Sequence, residues 1–127
     1  MKIQTHQLIN REYCGTPLVL EKGYSKVELK TSDTMMVDET GLVHGGFIFG
    51  LADYAAMIAV NHPHVVLGGA QVKFVKPVKN NETVWAEAVV EDGDGKKRNV
   101  NVTVTNGQET VFQGVFTCFV LDRHVLK

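Results

Sequence analysis

A chain of 127 residues, 44% hydrophobic and 21% charged, has the size of one domain and the composition of a packed one, which excludes wholesale disorder. Its net charge of −1 and pI near 6.5 supply no basic field that would draw in nucleic acid. The opening MKIQTHQLINREYC holds neither an apolar core of signal-peptide length nor a small-residue cleavage site, so the chain reads as one soluble, cytoplasmic domain over residues 1–127.

In chain order, Ile3, Leu8 and Ile9 give residues 1–13 the spacing of a short amphipathic helix. The run Pro17–Thr31 alternates in its second half, with Val27 and Leu29 opposite Tyr24, Lys26, Glu28 and Lys30. This predicts one strand, with a turn or bulge at Lys22-Gly23. SDTMMVDET breaks the pattern as a loop. A helix is expected from about Gly45 to Val60, ended by Asn61-His62-Pro63-His64, because Pro63 cannot continue it. Four β-rich runs follow, Val65–Val78, Thr83–Glu91, Arg98–Thr105 and Thr110–Leu121. Turn signals at Asp92-Gly93-Asp94-Gly95 and Asn106-Gly107 predict an antiparallel meander. Cys14 and Cys118 stand far apart with no Cys-x-x-Cys spacing, so no disulfide is expected.

Between Phe47 and Val60 only Asp53 is charged, and apolar residues occupy every side. The run from 41 to 60 could span a bilayer by length, but a charge at mid-membrane costs roughly 2.5 kcal/mol or more. A helix apolar all round must instead be buried all round, and here only the sheet is large enough to cover it. The expected fold is therefore α+β: one long central helix wrapped by a five-stranded antiparallel sheet.

A carboxylate inside such a helix is costly unless it is paired, hydrogen-bonded or protonated. Asp53 is thus either a satisfied structural acid or a reactive one. The pair Gly45-Gly46 at the helix start favours the second reading. First-turn N–H groups lack partners inside the helix, glycines admit close approach, and the dipole welcomes an oxygen gaining negative charge. An oxyanion site with a carboxylate suits hydrolysis of an activated acyl group. Gly45 and Asp53 are eight positions apart, about 12 Å along a helix, so one carbonyl cannot touch both. Two copies with antiparallel helices would bring Asp53 of one to Gly45 of the other.

His44-Gly45-Gly46, then Phe-x-x-x-Leu-Ala-Asp53 and Ala-Val-Asn61, with VKFVKPVKNNETVWAEAVV downstream, resemble the hotdog-fold acyl-CoA thioesterases, particularly the phenylacetic-acid-pathway branch. The resemblance runs from about Asp38 to Leu121. It implies a homodimer with shared active sites, often paired into a tetramer, that cleaves a CoA thioester with no metal or organic cofactor. The Gly45 N–H would polarise the thioester oxygen, and Asp53 would act as general base on water or as nucleophile through an anhydride. Asp38 stands where the family usually carries Asn or Gln to hold the water or carbonyl. Close to Asp53, it would form a carboxylate pair in which one member keeps its proton to higher pH. Met57 replaces a Thr or Ser found in some members.

His44 either orients the loop and caps the helix or contacts the ligand. Gly46 lies beside the oxyanion position. Gly68 and Gly69 mark a strand bulge or a backbone approached by ligand. Asn61 ends the helix, with substrate contact as its other reading. Lys96, Lys97 and Arg98 either meet CoA phosphates or form a solvated turn end, and Lys73, Lys76 and Lys79 pose the same choice. His62-x-His64 lacks a third ligand at recognisable spacing, so no metal is expected. The competing functions are a non-catalytic acyl-CoA-binding protein and a hotdog hydratase or dehydratase.

Overall fold

The computed structural model describes residues 1–91 and 95–127. The turn signal at residues 92–95 thus falls largely outside the described residues. The long helix α2 spans Gly45–Val60, as its sequence dictates. Nine of its residues, from Ile48 to Ala59, are buried, and Leu51, Ala55 and Met57 are wholly so. At its end Asn61 takes the left-handed conformation and its N–H bonds the Met57 carbonyl.

The sheet has six antiparallel strands rather than five. Lys22-Gly23 is a full hairpin turn, and Gly23, at φ +76°, supplies the left-handed backbone that lets the chain reverse in two residues. It divides the expected single strand into β1 (Thr16–Glu21) and β2 (Tyr24–Lys30). In β2 the alternation holds: Ser25, Val27 and Leu29 face inward, and the buried Ser25 hydroxyl donates to the Ala55 carbonyl at 2.7 Å.

After α2 come β3 (Val65–Phe74), β4 (Thr83–Val90), β5 (Lys97–Thr105) and β6 (Thr110–Val120). Their order across the sheet is β1-β2-β4-β5-β6-β3. β4, β5 and β6 form the expected meander, but β3 does not lead it. It pairs with β6 and forms the far edge. The segment after β3 crosses back and is tied down on the way: Val43 donates to the Val78 carbonyl, and Asn80 to that of Gly41. The curled sheet covers α2 with Val84, Ala86, Val100, Val102 and Phe116, all fully buried or nearly so.

The chain start differs from expectation as well. Only Arg11–Cys14 form a helical turn, α1, whose Asn10 side chain accepts from the N–H groups of Glu12 and Tyr13. Residues before it run without helix along the end of α2. There the Asn61 side chain accepts from Gln4 N–H at 2.7 Å and donates to the Lys2 carbonyl at 2.8 Å. Ile3 and Ile9 pack on the core from this path, which gives their burial without a helix. Among the described residues, no helix is long and apolar enough to cross a membrane.

Candidate active site

Gly45 opens α2 directly beneath Phe74, the last residue of β3. A methyl group at Gly45 would sit 3.0 Å from the Phe74 ring. At Gly46 it would sit 2.8 Å from Nε2 of His44, whose imidazole folds over that glycine. A side chain at either position would have to displace the ring above it, and the first N–H groups of the helix lack partners inside it.

His44 takes the N-cap position, yet its side chain makes no capping bond. Its ring stacks edge-on against Phe47, with centroids 6.0 Å apart. The backbone does the fixing, because His44 N–H donates to the Met35 carbonyl at 2.9 Å. The expected capping role therefore belongs to the main chain and not to the imidazole.

Asp53 sits in the middle of α2 with one carboxylate oxygen, Oδ1, buried and without a hydrogen-bond partner among the described residues. Burial pushes its carboxyl up to about 6. The Cys118 thiol on β6 is pushed to about 12, first by its own burial and then by the Asp53 charge. Cys14 shifts upward for the same two reasons in the same order. The carboxylate thus lies near both thiols, and among the described residues neither a cation nor a hydrogen-bond donor meets its inner oxygen. Buried carboxylate oxygens are as a rule hydrogen-bonded, and Oδ1 of Asp53 departs from that rule among the described residues.

Asp38 is exposed and lies in a turn of its own. Its Oδ1 accepts from Thr40 N–H at 2.9 Å and from the Thr40 hydroxyl at 2.6 Å, and these bonds hold its carboxyl below the ordinary range. The expected carboxylate pair is therefore corrected within this protomer. Asp38 is stabilised in its charged form by Thr40, and the rise at Asp53 comes from burial alone.

The structure does not gather the remaining predicted residues around Gly45. Asn61 caps the opposite end of α2, sixteen positions away or about 24 Å along the axis, and holds the chain start. Gly68 marks a bulge, where the β3–β6 register shifts between Leu67 and Gly69, and a side chain there would drive into the Phe119 ring. Gly69 faces open space. Phe74 was missing from the sequence reading. Its sign was a large aromatic at a strand end, 56% exposed, which periodicity alone does not relate to a glycine 29 positions earlier.

Gly45 and Asp53 map onto opposite ends of β3. Gly45 abuts Phe74, whereas Asp53 lies near Cys118, whose register partner on β3 is Leu67.

The fold and the helix-borne glycine–carboxylate arrangement define a class, and sequence comparison gives it a name. Residues 40–113 match the Thioesterase superfamily, and the chain belongs to that family. Its fold is the hotdog fold. It is 52% identical, with a TM-score of 0.98, to the crystal structure of an uncharacterized protein, PH1136, from Pyrococcus horikoshii, covering 100% of this chain and 98% of that one. A mutant form of the phenylacetic acid degradation protein PaaI from Thermus thermophilus shares 26% identity at a TM-score of 0.79, over 87% of this chain and 97% of that one. Among curated proteins, 51% identity over 96% of the chain links it to 27% of a methylthioribose-1-phosphate isomerase of Aquifex aeolicus. It is also 28% identical, over 99% of its length, to 62% of the transcription factor FapR of Caldanaerobacter subterraneus. The chain thus spans between about a quarter and three fifths of the length of these curated relatives.

Proposed function

We propose that this protein hydrolyses an acyl-CoA thioester to the free acid and CoA, at a site completed by a second copy of the chain. The observation that carries this reading is Asp53: a mid-helix carboxylate with an unpartnered buried oxygen and a pKa near 6. A base must be ionised at working pH yet keep appreciable proton affinity, and a value near 6 meets both demands.

β3 is an edge strand with unpaired backbone groups, so a second copy can extend the sheet there. Antiparallel pairing along β3 sets the Leu67 end of one copy opposite the Phe74 end of the other. Asp53 of one protomer then faces Gly45 of its partner, which removes the 12 Å separation found within one helix. Exposed Phe74 and Val75 at that edge would gain cover.

In this arrangement the thioester oxygen accepts a hydrogen bond from Gly45 N–H, at the positive end of the helix dipole. Asp53 takes a proton from water as the water oxygen bonds to the carbonyl carbon. The negative charge gathers on the carbonyl oxygen against Gly45. Collapse of that intermediate breaks the carbon–sulfur bond, and the proton held by Asp53 passes to the departing thiolate. Direct attack by the Asp53 carboxylate, through an anhydride that water then opens, uses the same two groups.

The likeness to a transcription factor supports a second reading, a non-catalytic acyl-CoA-binding domain. A binder gains nothing from an unsatisfied carboxylate beside its ligand, which places this reading second. Incubation with short, medium and aryl CoA thioesters while free thiol is followed separates the two. Release of thiol supports hydrolysis, and binding without release supports the sensor.

A further inference from the structure

A cationic cleft of about 450 Å³ opens beyond the carbonyl end of α2, lined by His62, His64, Lys96, Arg98 and Asp122. Local sequence builds it. Asn61 turns the chain out of the helix, Pro63 prevents its continuation, and the two histidine rings come to rest 5.4 Å apart. His64 N–H donates to Nδ1 of His62 at 3.0 Å, so a neutral His62 carries its proton on Nε2. Burial, then the charges of His64 and Arg98, pulls His62 below the ordinary imidazole range, and it stands as a neutral donor at pH 7. Arg98, on β5, packs its Nε–H against the Gly95 carbonyl, which fixes the guanidinium at the wall. Asp122 is the acid that faces these groups. It meets Lys96 at 3.7 Å, but both are well exposed, so the pair contributes little.

The cleft stands next to the candidate active site along the sheet. Arg98 is the register partner of Cys118, and Cys118 of Leu67, so the cleft adjoins the end of β3 near which Asp53 lies. A charge near the carbonyl end of a helix is explained by the dipole. Two imidazoles, a guanidinium and an ammonium around one concavity are not.

We propose that this cleft binds phosphate groups on the carrier portion of the thioester, with Arg98 and Lys96 supplying charge and the His62 Nε2–H supplying a directed donor, while the His64 ring, whose Nδ1–H donates to the Leu121 carbonyl at 3.3 Å, forms the wall beside it. This rests on the thioesterase reading above and adds the part of the substrate that it would recognise. Nucleotide phosphates of CoA and the phosphate of a carrier-protein arm share this chemistry, and CoA is the source to which the three donors, Lys96, Arg98 and His62, point. A single arm phosphate needs fewer.

The test measures binding and turnover separately. Adenosine 3′,5′-bisphosphate is titrated calorimetrically into the wild-type protein, Arg98→Gln and Lys96→Gln. kcat/KM is measured on an acyl-CoA, the same acyl-4′-phosphopantetheine and the same acyl-pantetheine. Loss of a charge-assisted hydrogen bond predicts bisphosphate affinity weaker by about tenfold in Arg98→Gln, and a preference for acyl-CoA over acyl-pantetheine reduced by a similar factor. A reduced preference for acyl-phosphopantetheine over acyl-pantetheine, with the further gain from CoA intact, assigns the cleft to an arm phosphate and overturns the nucleotide assignment. Unchanged bisphosphate affinity and unchanged substrate preference in both variants overturn the cleft altogether. If the wild type binds the bisphosphate through Arg98 and releases no thiol from any thioester, the hydrolytic reading fails and the cleft stands.

Discussion

Gly45 and Asp53 share one helix yet belong to opposite ends of one edge strand, Gly45 under Phe74 and Asp53 near the partner of Leu67. On the proposed mechanism a single copy is incomplete and an antiparallel pair supplies the whole site. Asp53→Ala and Gly45→Pro should each abolish turnover, and mixing the two with subunit exchange should restore it through one intact site per mixed dimer. Proline suits this test because Gly45 is the first helical residue, where the ring is tolerated, and His44 before it is already extended at φ −61°, ψ 129°. A Cβ at this position meets the Phe74 ring at 3.0 Å, and Phe74 is exposed enough to yield. A mixture that stays inactive despite demonstrated exchange would place the site within one subunit.

Asp53 should set the acid limb of the pH–rate profile. Activity is expected to fall as pH drops through about 6, where burial has placed the carboxyl. A limb near 4, the value of an exposed carboxylate, would remove Asp53 from the role of base.

The same burial has a cost in stability. The folded-state pKa of Asp53 is raised, so between about 4 and 6 the folded chain holds more protons than the unfolded one, and stability falls as pH rises through that window. Above it the penalty is fully present. Asp53→Asn should therefore stabilise the fold at pH 7, by roughly 1–3 kcal/mol in urea denaturation, with the advantage vanishing near pH 4. Equal stability of the two proteins at pH 7 would mean that the carboxylate finds a partner in solution.

Asp38→Asn should leave the acid limb in place. Asn can accept from both Thr40 donors as Asp38 does, and no coupling to Asp53 contributes to the Asp53 shift. A downward move of the limb would show that the paired protein brings the two carboxylates together.

Much of this architecture was legible in the residues themselves. The helix bounds follow from an apolar run between a glycine pair and Pro63, β2 follows from period-two patterning, and β4, β5 and β6 follow from β-rich runs between turn signals. The sixth strand was hidden because Lys22-Gly23 serves a bulge or a hairpin equally well until β1 has a partner. The place of β3 depends on packing across the sheet, which alternation does not encode. Asp53 and Gly45 stand out as candidates because each is unfavourable for a purely structural helix. Asn61 could be read as the helix end because Pro63 follows it, and it closes α2 and ties down Lys2 and Gln4. Asn61→Ala should accordingly destabilise the protein by about 1–2 kcal/mol, and Asn61→Gly by less, with kcat/KM preserved in both. A loss of kcat/KM with stability intact would return Asn61 to the site.

The central claim is that Asp53 performs the chemistry, and the most direct measurement is release of free thiol from an acyl-CoA by the wild type and by Asp53→Asn, with kcat and KM resolved. Asparagine keeps the shape of the side chain and removes the basic oxygen. The account predicts kcat lower by about a hundredfold or more with KM little changed. Turnover within about threefold of the wild type would contradict it.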